Sequence, residues 1–148
     1  AVRKQASQDA ADVSNPLGRV LKVGKDNFDK DIDTLELKLA EAIMAERPAI
    51  DQGIGFIKII SVIAPLAGLL GTVTGMIVTF QMITLYGTGD PKLMAGGISQ
   101  ALVTTVLGLL VAIPTSLLHS FTQSSARGII SILEEQSTGI LAERAESK

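Results

Sequence analysis

Two long uncharged runs decide what this chain can fold into. Between Lys58 and Asp90 lie 31 residues without Asp, Glu, Lys or Arg, and between Lys92 and Arg127 lie another 34. A membrane-crossing helix needs about 20 mostly apolar residues, so each run is long enough. Fully helical, each would rise roughly 45–50 Å at about 1.5 Å per residue. That exceeds a hydrocarbon core of about 30 Å, so the ends must project into water or the helices must tilt. A soluble bundle with two buried helices is the alternative. Soluble helices of this length carry charges on an outer face, and these runs carry none. Hydrophobic residues make up 47% of the chain and charged residues 19%, with the charges gathered outside the runs.

The basic residues predict an orientation. Nine precede the first run (Arg3, Lys4, Arg19, Lys22, Lys25, Lys30, Lys38, Arg47 and Lys58), Lys92 stands alone between the runs, and Arg127, Arg144 and Lys148 follow the second. The positive-inside rule places both ends in the cytoplasm and the short connection outside. The polar start predicts no signal peptide, and the missing initiator Met points to a trimmed start. Several functions are excluded. A net charge of −2 on 148 residues offers no basic footprint for nucleic acid. With no Cys and a single His, there is no thiol nucleophile or Cys-ligated metal site, and no cofactor is called for.

The predicted fold class is an all-α membrane protein: a long transmembrane helical hairpin extending into the cytoplasm, plus cytoplasmic helices. The predicted organisation is a cytoplasmic helical segment over 1–56, a transmembrane helix over 57–85, a periplasmic loop over 86–96, a second transmembrane helix over 97–121 and a cytoplasmic amphipathic helix over 122–148. Residues 1–24 are weakly patterned, apart from Asn15-Pro16, which reads as a helix N-cap followed by Pro at the first helical position. Residues 25–33 read as a charged connector. From about Asp31 the series Ile32, Leu35, Leu39, Ala42, Ile43 predicts a helix that Pro48 kinks or interrupts. Gly53 and Gly55 mark loose backbone before the first run, and Gly87, Gly89 and Pro91 mark a turn after it. In the tail, Ile129, Leu133, Gln136 and Ile140 share one stripe, with Ile130, Ile132 and Leu141 beside it.

Each run carries a stripe of small and polar residues. In the first, Ser61, Pro65, Gly68, Thr72, Gly75 and Thr79 recur at helical spacing. In the second, Gly97, Ala101, Thr105, Gly108, Ala112, Thr115 and His119 do the same, with Gln100 and Thr104 at the border. Gly68, Gly71, Gly75, Gly108 and Ala112 read as close helix-packing positions, and Gly71-x-x-x-Gly75 is a small-xxx-small pair. For Thr72, Thr79, Thr104 and Thr105 two readings stand: a hydroxyl bonded back to its own helix, or one lining a hydrated path. Pro65 and Pro114 each free a carbonyl one turn earlier, as a simple kink or as a hinge beside an ion path. His119 reads as an interfacial residue. Proton relays in membranes use ionisable side chains. If this chain moves protons, the titrating carboxylate comes from a partner.

Ala64-Pro65 followed by Leu69-Leu70-Gly71-Thr72-Val73-Thr74-Gly75-Met76 resembles the second transmembrane helix of the ExbB/TolQ/MotA proton-channel family. Gly97-Ile98-Ser99-Gln100-Ala101-Leu102-Val103-Thr104-Thr105-Val106-Leu107-Gly108-Leu109-Leu110-Val111-Ala112-Ile113-Pro114 resembles the third, and Asp12-Val13-Ser14-Asn15 is weakly similar. The ExbB/TolQ branch fits better than MotA. The resemblance implies a subunit of an inner-membrane energy-transducing complex. In that family five such chains surround the transmembrane helices of a dimeric ExbD/TolR-type partner carrying an essential Asp. Proton movement there drives a TonB- or TolA-type envelope protein. Thr72 and Thr105 match the family's two pore-facing threonines, and with Thr79, Thr104 and Gln100 of the polar stripes they make the expected proton-pathway set. The family often has Glu where this chain has Gln100, which leaves a polar, non-titrating role. It also carries a further transmembrane helix upstream of the part matched here.

The competing function is a non-conducting oligomeric membrane scaffold around a partner's anchor helix, which would tolerate Ala or Val at Thr72 and Thr105. No paired carboxylate, nucleophile–base constellation or phosphate loop points to an enzyme.

Overall fold

The computed structural model describes residues 13–88 and 90–147. Arg3, Lys4, Asp12, Gly89 and Lys148 lie outside the described residues. Every element among the described residues is a helix: α1 (Pro16–Asp26), α2 (Ile32–Ile50), α3 (Ile54–Tyr86) and α4 (Pro91–Glu146). It divides into two compact units. One comprises residues 53–122, and the other combines residues up to 52 with those from 123 onward. The continuous helix α4 contributes to both.

In the two-ended unit, α1 starts where Asn15 accepts a hydrogen bond from Gly18 N at 2.9 Å, with Pro16 at its first position. Residues 16–24 of the weakly patterned segment are therefore helical, and the helix runs on into the expected connector as far as Asp26. α2 starts at Asp31, whose side chain accepts from Thr34 N at 3.0 Å. Pro48 does not interrupt it. The proline costs one helical bond two residues before the end, and Asp51 N still reaches Arg47 O at 2.9 Å. Leu17 and Val20 of α1, Leu35 and Leu39 of α2, and Leu133 of α4 are fully buried together. Each contributes about 1.5–3 kcal/mol by leaving water. Ile129, Ile132, Ile140 and Leu141 pack against them, which is the tail stripe read from the sequence. Arg19 grips Glu46 with two parallel bonds of 2.7 and 2.6 Å. Arg144 lies 5.7 Å over the Phe28 ring and donates to Lys30 O at 3.3 Å, which ties the end of α4 to the loop after α1.

In the other unit, α3 begins after Gly53 (φ +82°) and ends at Gly87 (φ +74°), two backbone values that L-residues rarely adopt. Helix α4 starts at Pro91, so residues 91–96 are helical rather than loop. Asp90 Oδ1 accepts from Lys92 N at 2.9 Å and Pro91 has its φ preset for a first helical position. Both helices run through their internal prolines, Pro65 and Pro114. They pack antiparallel: Gly68 lies against Gly108, Gly75 against Ala101, and Thr79 against Gly97. The apolar residues point away from this seam. Leu66, Leu70, Phe80, Leu102, Leu110 and Ile113 are all more than half exposed. The most apolar 18-residue window of each helix is 11% buried. A soluble core helix hides such residues, so this unit is built for a lipid or protein surround.

Candidate functional site

The seam between α3 and α4 is made of backbone and small side chains. A methyl placed on Gly68 would stand 3.1 Å from Thr104 O and 3.2 Å from the Cα atoms of Gly108 and Thr105. Gly71 faces the Thr104 side chain, and Gly75 faces Ala101. Gly68 is buried, Ala101 is 1% exposed and Ala112 is 7% exposed. Small residues are what allow such an approach between helices.

At the middle of the seam Thr72 and Thr105 share a direct hydroxyl–hydroxyl hydrogen bond. Thr72 Oγ1 also has Gly68 O at 3.2 Å and Ala101 O at 3.5 Å, and Thr105 Oγ1 has Gly68 O at 3.4 Å. A hydroxyl has one proton to give and two lone pairs to offer. When Thr105 donates to Thr72, the Thr72 proton is free to turn to a carbonyl or to an outside acceptor. Both hydroxyls are half-buried. The pair can orient water or solvate a carboxylate, but it cannot store a proton at neutral pH.

The other polar residues of the stripes go elsewhere. Thr104 bonds back to Ala101 O at 2.6 Å. Successive helical residues are about 100° apart, so the pairs Gly71·Thr104 and Thr72·Thr105 flank the seam on its two sides. Gln100 and Thr104 line a groove with Gly71, Thr74 and Gly75. A second groove, lined by Ala64, Gly68, Gly108 and again Thr104, extends along the same flank. Neither contains Thr72 or Thr105. Thr79 is 4% exposed, donates to Gly75 O at 2.9 Å, and packs against Gly97. Of the five residues grouped by sequence, the structure brings Thr72 and Thr105 together, sets Gln100 and Thr104 on the opposite flank, and seats Thr79 in the seam. Thr74, in the Gln100 groove, was outside the polar stripe; its position three residues after Gly71 was the available signal. The carbonyls of Gly68 and Ala101 were also missed, because a backbone acceptor leaves no mark in a sequence except a small residue beside it.

Among the described residues no cluster of His, Cys, Asp or Glu is placed to hold a metal. An ExbB homologue of Methanothermobacter thermautotrophicus, named for biopolymer transport, is 34% identical over 121 residues, 79% of this chain and 41% of its own length. The biopolymer transport protein exbB1 of Vibrio cholerae is 35% identical over 100 residues, 66% of this chain and 42% of its own. The biopolymer transport protein ExbB of Aquifex aeolicus is 47% identical over 58 residues, 39% of each. The chain thus spans less than half the length of these relatives. The description "MotA/TolQ/ExbB proton channel family" matches residues 12–135, which takes in α1, α2, α3 and most of α4. On that match, this chain belongs to the MotA/TolQ/ExbB proton channel family.

Proposed function

We propose that this chain is the channel-forming subunit of an ExbB–ExbD or TolQ–TolR type complex in a bacterial inner membrane, coupling proton flow to a TonB- or TolA-type envelope protein. In this reading α3 and the first part of α4 span the membrane as a hairpin, both ends are cytoplasmic, and several copies, five by analogy with the family, form a ring around the partner's anchor helices. The observation that carries it is the Thr72–Thr105 hydroxyl pair on two helices without any Asp, Glu, Lys or Arg between residues 59–89 or 93–126. A carboxylate from an ExbD- or TolR-type partner supplies the titrating group. In a low-dielectric surround that carboxylate strongly favours its neutral form. A hydroxyl whose donor is free to turn outward stabilises the charged form, and so lets the acid release and regain a proton. Each proton crossing yields about 2.3 kcal/mol per 100 mV.

Thr72→Val and Thr105→Val keep the shape and remove the hydroxyl. Each should leave the complex assembled, as read by co-purification of the partner subunit. Each should lower proton-driven transport on the order of tenfold or more, whereas Thr→Ser should retain most of it. Wild-type transport in both Val variants would transfer the case to the scaffold reading. Gln100 and Thr104 have a separate place in this reading. Their groove of small residues lies on the flank away from the pair, so Gln100→Glu should disturb assembly rather than the pH dependence of transport.

A further inference from the structure

The Thr72–Thr105 bond is bracketed by backbone contacts one turn to either side. On α3, Thr72 stands between Gly68 and Gly75; on α4, Thr105 stands between Ala101 and Gly108. Gly68 meets Gly108 on one side of the hydroxyls, and Gly75 meets Ala101 on the other. A Cβ on Gly108 would lie 2.8 Å from both Ala64 O and Gly68 Cα and 3.1 Å from Gly68 N. Every one of those neighbours is backbone, so none can turn aside. Non-bonded carbon atoms rest about 3.5–4.0 Å apart, and the helices would have to separate. The hydroxyl–carbonyl contacts across the seam have no slack for that. The cross-helix approaches of Thr105 to Gly68 O and of Thr72 to Ala101 O are already 3.4 and 3.5 Å, against a usual O–H···O span of about 2.5–3.0 Å.

From this we infer that Gly108, with Gly68, and Gly75, with Ala101, are positioning residues of the proton path: they set the helix separation at which the Thr72 and Thr105 hydroxyls bridge. The inference rests on the proton-channel reading above and adds to it that the two small-residue contacts act through the hydroxyl pair. General packing at other levels of the seam is a different matter. A methyl on Gly96, on the same helix, would meet nothing within 4 Å, and this position provides the control.

The test uses the full chain expressed with its partner subunit and two readouts. The first is disulfide formation between Thr72→Cys and Thr105→Cys in this cysteine-free chain. It should fall on the order of tenfold when Gly108→Ala is added, and stay unchanged with Gly96→Ala. The second is proton-driven transport with Thr72 and Thr105 intact, which Gly108→Ala should lower by a similar factor. In a Thr72→Val background Gly108→Ala should cause no further loss, because nothing remains to be positioned. A methyl swap at the other bracket keeps the test independent of one variant's assembly. Gly75→Ala puts a Cβ 2.7 Å from the Ala101 Cβ and 3.0 Å from the Ala101 Cα, so adding Ala101→Gly removes the closer clash and should recover part of both readouts. Undiminished cross-linking in Gly108→Ala, a transport loss that adds to that of Thr72→Val, or a methyl swap that recovers nothing overturns the inference. Wild-type transport in both Thr72→Val and Thr105→Val overturns the channel reading itself, which the cross-linking readout keeps separate.

Discussion

A buried hydroxyl is useful when its proton has somewhere to go, and the hydroxyls of this chain differ in that respect. Thr74, Thr84 and Thr115 each donate to a carbonyl of their own helix at 2.7–3.1 Å, which satisfies them locally. Thr72 and Thr105 reach across to each other. Ser137 does neither: it is 5% exposed, and its Oγ has no hydrogen-bond partner among the described residues. A buried polar group left unmade costs about 1–3 kcal/mol. Ser137→Ala should therefore raise the unfolding free energy of the two-ended unit by about 1 kcal/mol, measured by hydrogen exchange of α2 amides in the solubilised chain. A drop in protection would mean that the hydroxyl is satisfied after all. At this scale the sequence put Thr72 and Thr105 on the two polar stripes but did not separate them from their neighbours. A stripe at three- and four-residue steps is broad, and the side of a seam on which a residue falls depends on where the opposing helix sits. Thr104 and Thr105 are adjacent in the chain, yet the fold assigns them to opposite flanks.

Helix ends were more legible than helix interiors, because a cap is a local event. Asn15-Pro16 and Asp31 start α1 and α2 as their side chains dictate. Asp90-Pro91 carries the same signal for α4, masked by its position among turn residues. The Pro48 interruption failed because only two helical residues follow the proline, and the one bond it removes does not stop the last turn from closing through Asp51 N to Arg47 O. The pairing of α1 with α2 was not legible: it rests on Leu17 and Val20 meeting Leu35 and Leu39, and on Arg19 finding Glu46, 27 positions away. The Arg19 hydrogen bonds hold the Glu46 carboxyl below its ordinary value of 4.5, against the opposing effect of partial burial. A carboxyl lowered in the folded state stabilises fully above its unfolded value, and that contribution disappears as pH falls through the lower folded value. Protection of α1 amides should accordingly fall as the pH drops below about 4.5. Glu46→Gln should weaken α1 at neutral pH and flatten this acid dependence. An unchanged acid profile in Glu46→Gln would show that the pair does not couple the two helices.

For the molecule as a whole, burial is arranged in two opposite senses. The two-ended unit hides Leu17, Leu35, Leu39 and Leu133 from solvent, whereas the unit of residues 53–122 hides Gly68, Ala101 and Thr79 and turns its leucines outward. That inversion was foreseeable from charge placement alone, and it underlies the proposed membrane topology. In the connection between the two helices Thr88 is exposed and serves as the probe. With Thr88→Cys and Ser125→Cys introduced separately, a membrane-impermeant thiol reagent on intact cells should label the first and spare the second. Labelling of Ser125→Cys would reverse the orientation. The ends of α3 carry one more consequence. It begins after a glycine at φ +82° and stops at one with φ +74° and ψ −175°, the latter a region that is essentially glycine's alone. Greasiness does not end this helix, since the uncharged run continues past Gly87. Handedness does: the limits of α3 are written in two achiral residues occupying mirror-image backbone, where D-alanine would sit at ease and L-alanine would not.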